Sequence, residues 1–261
     1  MYDSFSQDYD RFVNWQNRLS FEMSFIVDRI HKSITKQDND IRVLDTATGT
    51  GMHAIALAKK GFIAAGSDIS TGMIEKARSN AIKHNQKIYF KTAGFGQNAS
   101  TFHDHSSLFP FDVLLCLGNS LPHVKNQQEL TITLSDFYSC LSPGGLLLIQ
   151  SRNFDSILQK RERWIEPQSH WEGDREWLFL RFYDFLSDGH IQLNILTLKR
   201  KPELGWTQSI METRLFPLSV EIMENTLLES GFVDIEFFGS LSGEPFYKET
   251  SQNLVITARK K

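Results

Sequence analysis

The chain contains 261 residues with a formal net charge of -3, and 41% of its residues are hydrophobic while 23% are charged. This length suits one large α/β domain, alone or with an insertion, and the composition is typical of a folded globular protein. The small net charge provides no general attraction to nucleic acid or to an anionic membrane surface. We therefore expect neither a nucleic acid nor a membrane as a partner.

The two cysteines and the first residues indicate a soluble cytoplasmic protein. Cys116 falls on a predicted buried strand and Cys140 near the end of a predicted helix, which fits reduced thiols rather than a disulfide framework. The opening MYDSFSQDYDRF lacks the basic-then-apolar order of a leader, and the longest apolar runs are too short to span a membrane.

The first predicted element is an amphipathic helix from about Arg18 to Lys32, because its apolar residues recur at helical spacing. From residue 41, predicted strands and helices alternate: IRVLD, MHAIALAKKG, FIAAGSD, TGMIEKARSNAIKH and KIYFKTA. This order is typical of a parallel sheet with right-handed crossovers, whose ligand crevice lies beyond the carboxyl ends of the strands. A buried strand FDVLLCL, a helix from Glu129 to Cys140, a turn at SPGG and a strand LLLIQSR follow.

The pattern changes after about residue 155. Three extended runs, WLFLRFYDFL, HIQLNILTLKR and WTQSIMETRLF, follow one another, and the step Asp188-Gly189 is a strong hairpin signal. We predict an antiparallel insertion over the carboxyl edge of the sheet. A helix and two strands that would form a hairpin at the sheet edge come last: Val220 to Ser230, Val233 to Phe238 and Leu254 to Ala258.

This order divides the chain into four predicted parts. They are an N-terminal arm and helix, a ligand-binding core, an antiparallel lid insertion, and a C-terminal helix with the edge strands that complete the core sheet: residues 1–40, 41–155, 156–217 and 218–261.

The stretch from Val43 to Gly51, VLDTATGTG, runs from a predicted strand into a glycine turn that opens a helix. Gly49 and Gly51 allow the backbone to approach a ligand closely, and the helix offers free N–H groups. Asp45 would repel the pyrophosphate of a dinucleotide but suits a ligand with positive charge, such as S-adenosylmethionine with its sulfonium and ammonium. A dinucleotide stays the alternative, since Gly49, Gly51 and Ala54 also satisfy a loose nucleotide fingerprint.

Four segments resemble the class I S-adenosylmethionine-dependent methyltransferases: VLDTATGTG, GSDIS, CLGNSLPHV and PGGLLLIQSRNFD. The first two occur throughout that superfamily, whereas the last two point to the glycine N-methyltransferase and glycine/sarcosine methyltransferase group. Thr48 stands where the family often has cysteine or glycine. The resemblance implies an α/β fold with a Rossmann-like seven-stranded, mostly parallel sheet, helices on both faces, and the antiparallel insertion as a lid.

The resemblance also implies which residues hold S-adenosylmethionine. Asp68 would accept hydrogen bonds from both ribose hydroxyls, unless it only caps the next helix. Arg18 would pair with the cofactor carboxylate, unless it is a solvated helix arginine. The methionine part would lie against Asp45, Ala47, Gly49 and Gly51. The adenine pocket and the remaining contacts would come from Ile69, Met73, Gly94, Phe95, Leu117 and His123.

Four residues are implied as catalytic or substrate-binding: Asn119, Arg152, Tyr9 and His123. Arg152 would hold a substrate carboxylate through two parallel hydrogen bonds, or alternatively form an ion pair with Asp155. Asn119 would offer its amide oxygen to the substrate nitrogen, or cap the next helix. His123 would contact the site near the cofactor, with a general base as the less favoured role, and Tyr9 would cover the sulfonium with its ring or simply pack the arm.

The insertion supplies aromatic residues that would form a roof excluding water from the substrate pocket: Trp171, Trp177, Phe179, Tyr183 and Trp206. No metal is expected, because His103, Asp104 and His105 lie in a polar loop without a further ligand nearby.

The resulting hypothesis is an S-adenosylmethionine-dependent N-methyltransferase for glycine, sarcosine or a similar small amino acid, working by in-line methyl transfer with S-adenosylhomocysteine as the second product. Burial and the nearby sulfonium lower the pKa of the acceptor amine, so a dedicated base is not required. The alternatives are another acceptor, such as an amino sugar, a natural-product amine or a hydroxyl, and a non-catalytic cofactor-binding protein. The partner is therefore a small, carboxylate-bearing amine, and a homo-oligomer is compatible with the sequence.

Overall fold

The computed structural model describes residues 6–201, 203 and 205–261. Its strands are β1 (Arg42–Thr46), β2 (Ile63–Asp68), β3 (Tyr89–Thr92), β4 (Phe111–Cys116), β5 (Leu141–Arg152), β6 (Trp164–Glu172), β7 (Arg175–Phe185), β8 (Ile191–Lys201), β9 (Gly205–Leu215), β10 (Phe232–Phe238) and β11 (Asn253–Lys260). Its helices are α1 (Ser6–Phe12), α2 (Trp15–Ser33), α3 (Met52–Lys59), α4 (Thr71–Lys83), α5 (Asn98–Phe102), α6 (Gln127–Cys140), α7 (Phe154–Lys160) and α8 (Val220–Glu229).

Seven strands form one sheet in the order β10-β11-β5-β4-β1-β2-β3. The first five strands of the chain run parallel to one another, while β11 is antiparallel to β5 and β10 is antiparallel to β11. The predicted seven-stranded, mostly parallel sheet is confirmed, and so is the hairpin at its edge.

Helices cover both faces of this sheet, because alternate residues of each strand point to opposite sides. Leu44 and Leu114 pack with buried residues of α6 and α8. Their neighbours Val43 and Val113 pack with buried residues of α2, α3 and α4 on the other face. The near-continuous apolar strands are therefore explained by burial on both sides.

The parallel arrangement brings the carboxyl ends of four strands to one edge. Thr46 at the end of β1 pairs with Ser67 of β2 and with Cys116 of β4, and Cys116 pairs with Ile149 of β5. The loops that leave these strands consequently open onto the same crevice.

Strands β6, β7, β8 and β9 form a separate four-stranded antiparallel sheet in that order, named here the lid sheet. The predicted hairpin at Asp188 and Gly189 joins β7 to β8, with the amide of Leu186 bonded to the carbonyl of His190. Phe179 and Tyr183 are buried in the core of this sheet, which also packs against Phe12 of α1.

The structure corrects the sequence analysis of the insertion in two respects. The lid sheet has a fourth strand, β6, whose residues are mostly exposed and which includes Pro167, so it lacks the apolar alternation that marks a half-buried strand. Trp171 and Trp206 do not form a roof, because they are 56% and 49% exposed.

Three short helices elsewhere in the chain, α1, α5 and α7, were also not predicted.

The turn before β5 differs from the prediction as well. Residues Ser142 to Gly145 belong to the strand itself, and the pairing of β4 with β5 shifts register between Phe111 and Val113 to accommodate them. Pro143 and Gly144 therefore mark an irregular strand start rather than a separate turn.

Both cysteines are buried and free, in agreement with the sequence analysis. Burial raises the pKa of Cys116 to about 12. None of the described helices combines the length and the apolar character that crossing a membrane requires.

Gly51 begins α3 at a position that no side chain fits. Its φ of +80° lies in the left-handed region, and a Cβ there would lie 2.9 Å from Cβ of Ala77 and 2.9 Å from Cζ of Phe90. Gly51 therefore allows α3, α4 and β3 to pack closely, which is a structural role.

We expect Gly51→Ala to lower the free energy of unfolding by about 2 to 5 kcal/mol, the sum of left-handed backbone strain and overpacking. The matched control is Gly173→Ala, which has a φ of +64° and no atom within 4 Å of the new Cβ. It isolates the backbone strain, which we expect to cost about 1 to 2 kcal/mol. Urea unfolding measures both, and equal losses would contradict the packing argument.

Candidate functional site

A cavity of about 530 Å³ lies at the carboxyl edge of the seven-stranded sheet, between that edge and the lid sheet. A second cavity of about 20 Å³ adjoins it and shares the lining residues Tyr9, Ala47, Gly118 and Ser120. We refer to these as the large cavity and the small cavity. Together they form an elongated space that most of the predicted site residues line.

Asp68 lies at the end of β2 and lines the large cavity. One of its carboxylate oxygens accepts the backbone N–H of Gly49 at 2.9 Å, and the other accepts that of Ser70 at 2.9 Å. The N-cap of α4 is Ser70, whose hydroxyl accepts the N–H of Met73 at 3.1 Å. Asp68 is thus a residue of the cavity wall and not the N-cap of α4.

Four other predicted residues line the same part of the large cavity: Ile69, Met73, Gly94 and Phe95. Ile69 is 73% exposed although it is a large apolar residue, so it offers an apolar surface to a ligand. A Cβ on Gly94 would lie 3.3 Å from Cδ1 of Ile69, so glycine keeps that wall open.

Polar residues that the sequence pattern did not indicate lie beside this apolar wall. Asn98 and Ser67 line the large cavity and are joined by a 2.6 Å hydrogen bond from the serine hydroxyl to the amide oxygen. Asp136 of α6 anchors Asn98 by accepting its backbone N–H at 2.9 Å. Ser67 belongs to β2, and Asn98 begins the short helix α5, which was not predicted.

The small cavity is lined by both a half-buried cation, Arg18, and a buried acid, Asp45. It is lined by Arg18, Asp45, Thr48, His53 and Leu117, among others. The Thr48 hydroxyl donates to Asp45 at 2.5 Å, so threonine satisfies a carboxylate oxygen at the position where the family often has cysteine or glycine. Burial raises the pKa of Asp45, although the charge of His53 and the bond from Thr48 oppose the shift.

Arg18 is held in place by Glu22, one helical turn further along α2. The Arg18 Nε donates to Glu22 at 2.8 Å, and the other carboxylate oxygen of Glu22 lies 2.6 Å from Nε2 of His53. Burial alone would raise the pKa of Glu22, but the hydrogen bond to His53 and the charge of Arg18 hold it below its ordinary value. Arg18 is therefore an oriented cavity residue rather than a solvated helix arginine.

The residues of the turn after β1 that were predicted to bind the cofactor do not all line the cavities. Ala47 and Gly49 line the large cavity with φ values of +51° and +56°. Gly51 lines neither cavity and, as described above, permits close helix packing. Its assignment to the cofactor wall stays a prediction.

Tyr9 lines both cavities from the N-terminal arm, with Cε1 of its ring 3.7 Å from where a Cβ of Gly49 would lie. The neighbouring Asp10, which sequence analysis missed, fixes the arm. Its carboxylate accepts the Thr50 hydroxyl at 2.6 Å, the Trp15 indole N–H at 3.0 Å and the Asn80 amide at 3.1 Å. These bonds hold α1 across the mouth of the cavity.

Arg152 ends β5 and lines the large cavity. Its Nε is buried without a hydrogen-bond partner among the described residues. The predicted alternative, an ion pair with Asp155, is not formed: Asp155 accepts the backbone N–H of Val220 at 2.8 Å and lies 3.3 Å from Nζ of Lys248. The guanidinium thus faces the cavity without an acidic partner from the described chain.

Asn119 lies next to Arg152 with a left-handed φ of +62° and also lines the large cavity. Its amide oxygen accepts the backbone N–H of Arg152 at 2.8 Å. That oxygen already accepts one hydrogen bond, so a substrate N–H would be its second donor. The clearer role of Asn119 is to tie the loop after β4 to the end of β5.

His123 lines the large cavity, and its Nδ1 lies 3.2 Å from the hydroxyl of Thr213 in the lid sheet. Burial lowers the pKa of His123 to about 4. The imidazole is therefore neutral near neutral pH, but it is too weak a base to hold a proton there.

The lid sheet contributes two polar residues to the site: Tyr183, which was predicted as part of the roof, and Arg181, which was not predicted. Arg181 and Tyr183 of β7 line the large cavity together with Ile165, Leu193 and Ile195. The signal was present: Phe179, Arg181 and Tyr183 alternate along β7, which places the arginine on the same face as the two buried aromatic residues.

The two histidines in the loop after α5 each have a polar neighbour. His105 lies 2.6 Å from the hydroxyl of Tyr89, and His103 lies 3.5 Å from Asp104. Within the described part of the chain, no group of three or more potential metal ligands comes together.

Comparison with known proteins identifies the fold and the family. Residues 16–198 match a family model described as a methyltransferase domain. A glycine/sarcosine N-methyltransferase of Aphanothece halophytica is 30% identical over 258 residues, which cover 99% of this chain and 89% of that relative.

Two solved structures have the same fold. An S-adenosylmethionine-dependent methyltransferase of Clostridium acetobutylicum has a TM-score of 0.73 at 16% identity, covering 99% of this chain and 98% of that one. An amino pentose methyltransferase of Micromonospora echinaspora, solved with S-adenosylmethionine bound, has a TM-score of 0.73 at 16% identity, covering 99% and 96%. With the family match over most of its length, the chain belongs to the methyltransferase-domain family and is an S-adenosylmethionine-dependent methyltransferase.

Proposed function

We propose that this methyltransferase methylates the amine of a small amino acid, such as glycine or sarcosine. The observation that carries the proposal is Arg152, a guanidinium that lines the large cavity and has no acidic partner among the described residues. A substrate carboxylate would supply the missing charge through a bidentate hydrogen-bonded pair. The relative from Aphanothece halophytica, aligned over nearly the whole chain, supports the same substrate class.

The residues around the two cavities fit S-adenosylmethionine part by part. Asp68 would bind the ribose hydroxyls, and Ile69 would lie against the adenine ring. Arg18 would bind the cofactor carboxylate beside Gly118, where a Cβ would come within 3.7 Å of the guanidinium. Asp45 would balance the ammonium, and Ala47, Gly49, Met73, Gly94, Phe95 and Leu117 would complete the walls.

When bound, S-adenosylmethionine supplies an electrophilic methyl group that an amine lone pair attacks in line with the carbon–sulfur bond. The chain contributes mainly by positioning. Arg152 would fix the acceptor through its carboxylate, and Asn119 holds Arg152 by accepting its backbone N–H at 2.8 Å. With its carboxylate held by Arg152, and Arg152 itself held by Asn119, the acceptor can bring its amine to the methyl group from one direction.

The acceptor must lose its ammonium proton before it attacks, and the site favours that loss through charge. The positive charge of Arg152 and the low polarity of the lid residues Ile165, Leu193 and Ile195 both disfavour a second cation in the large cavity. Proton transfer to His123 is not needed, in keeping with its low pKa.

Tyr9 would cover the sulfonium with its ring. Burial raises the pKa of Tyr9, so the phenol stays protonated and the ring stays uncharged. An uncharged ring over a cation contributes a cation–π attraction. Because α1 and the lid sheet both border the large cavity, the same residues also limit the access of water to the reacting atoms.

Replacing Asp68 tests the cofactor assignment. Asp68→Asn keeps the shape but removes the charge, so we expect the affinity for S-adenosylhomocysteine to fall by about tenfold to a hundredfold. Asp104→Asn makes the same change at an exposed loop position and should leave the affinity unchanged. Isothermal titration calorimetry measures both; equal affinities for the two variants would remove Asp68 from the cofactor site.

Replacing Arg152 tests the acceptor assignment. Lysine keeps the charge but loses the planar fork, so we expect Arg152→Lys to lower kcat/KM for glycine and sarcosine by about a hundredfold. Affinity for S-adenosylhomocysteine should stay within about twofold of wild type, since Arg152 holds the acceptor end. Arg200→Lys, at an exposed position of the lid sheet, is the control. An equal loss with an amino sugar would contradict a carboxylate-bearing acceptor.

The pH dependence of turnover tests the role of His123. Because its pKa lies near 4, the imidazole does not change protonation between about pH 6 and 9. We expect His123→Gln to lower kcat modestly, through the lost contact with Thr213, while the shape of the pH profile in that range stays that of wild type. If the variant instead loses a limb of the wild-type profile with a midpoint in this range, His123 acts as the base.

A further inference from the structure

A second guanidinium faces the large cavity opposite Arg152. Arg152 belongs to the end of β5 in the core sheet, whereas Arg181 belongs to β7 in the lid sheet, and both line this cavity. Arg181 stands between the buried Phe179 and Tyr183 on the inner face of its strand. Its side chain therefore lies inside the site, between the two halves of the molecule.

No carboxylate in the described part of the chain forms an ion pair with Arg181; the acid that acts on it is Glu166, whose charge opposes the lowering of its pKa by burial. Its Nε is buried without a hydrogen-bond partner, as is the Nε of Arg152. No described carboxylate forms an ion pair with either guanidinium, and the direct support for Arg181 is the ring of Phe12, 4.9 Å from its Cζ. Burial and, after it, the charge of Arg152 lower the pKa of Arg181. The two cations thus lie near enough to repel each other.

Two half-buried guanidiniums whose Nε atoms are buried without hydrogen bonds are costly unless an anion joins them. A carboxylate is suited to this, because its two oxygens can accept several N–H bonds from different directions. Arg181 fits poorly as a purely structural residue, since an apolar side chain in the same place would pack on Phe12 without the cost of burying a charge.

We propose that Arg181 is a second binding residue for the acid group of the acceptor, so that one carboxylate lies between Arg152 of the core sheet and Arg181 of the lid sheet. This inference rests on the proposed function in that it takes the acceptor to be a carboxylate-bearing amine. The addition to that function is that a residue of the lid sheet selects acceptors by their negative charge. An acceptor without an acid group leaves both guanidiniums unsatisfied and is disfavoured for that reason.

Tyr183 would act as a positioning residue in this arrangement. Burial raises its pKa, while the charges of Arg152 and Arg181 and a hydrogen bond donated by Arg152 oppose the shift. Tyr183 lines the large cavity with both arginines, and its phenol oxygen would orient the Arg152 guanidinium from the lid side.

The test compares an acceptor with its uncharged counterpart, glycine with glycinamide, in wild type, Arg181→Gln, Arg181→Lys and the exposed control Arg200→Gln. We expect Arg181→Gln to lower kcat/KM for glycine by about tenfold to a hundredfold, mostly through KM, with little change for glycinamide. Arg181→Lys should recover part of the loss, and Arg200→Gln should match wild type. Affinity for S-adenosylhomocysteine, measured on each variant, verifies that the site is intact.

Equal losses for glycine and glycinamide, or an unchanged KM for glycine in Arg181→Gln, would overturn the assignment of Arg181. Binding of acetate to the protein saturated with S-adenosylhomocysteine separates this proposal from the proposed function. If wild type methylates neither compound, the proposed acceptor is wrong, and acetate binding then decides on Arg181 alone. Acetate affinity that falls in Arg181→Gln supports the two-arginine site, and an unchanged affinity refutes it.

Discussion

The hydrogen bond from the Gly49 amide to the Asp68 carboxylate joins the ends of two neighbouring parallel strands, and the cavity depends on that connection. It requires the chain after β1 to turn sharply, which the left-handed residues Ala47, Gly49 and Gly51 make possible. A second bond, from the Thr48 amide to the Ser67 carbonyl at 2.8 Å, closes the same junction. The cofactor region is therefore built mainly from backbone geometry, with a few side chains added.

The other end of the large cavity is built differently, because its two arginines come from separate sheets. Arg152 is carried by a strand that is fixed on both sides, between β4 and β11. Arg181 is carried by the lid sheet, whose described strands pair with one another. If the proposed acceptor site is right, substitutions in the lid sheet can change the acceptor without altering the core sheet.

The sequence predicts the parallel sheet well and the lid sheet less well, for physical reasons. Strands buried on both faces are continuous apolar runs, and the glycine turn and Asp68 follow them at fixed places. Strand β6 escapes prediction because most of its side chains are exposed, so it lacks an apolar alternation. Asp10 escapes because its contacts are long-range in sequence: it meets Asn80 across 70 residues. Arg181 alternates with Phe179 and Tyr183 along β7, but nothing local in the sequence shows that this face of the strand lines a cavity.

The arm and the lid sheet are in contact with each other as well as with the cavity. The ring of Phe12 lies 5.3 Å from that of Phe179, and Arg11 donates to Glu172 at 2.9 Å. Moving α1 away from the cavity therefore also breaks contacts that α1 makes with the lid sheet. Release of a product past either element would depend on both of them, and not on the reacting groups alone.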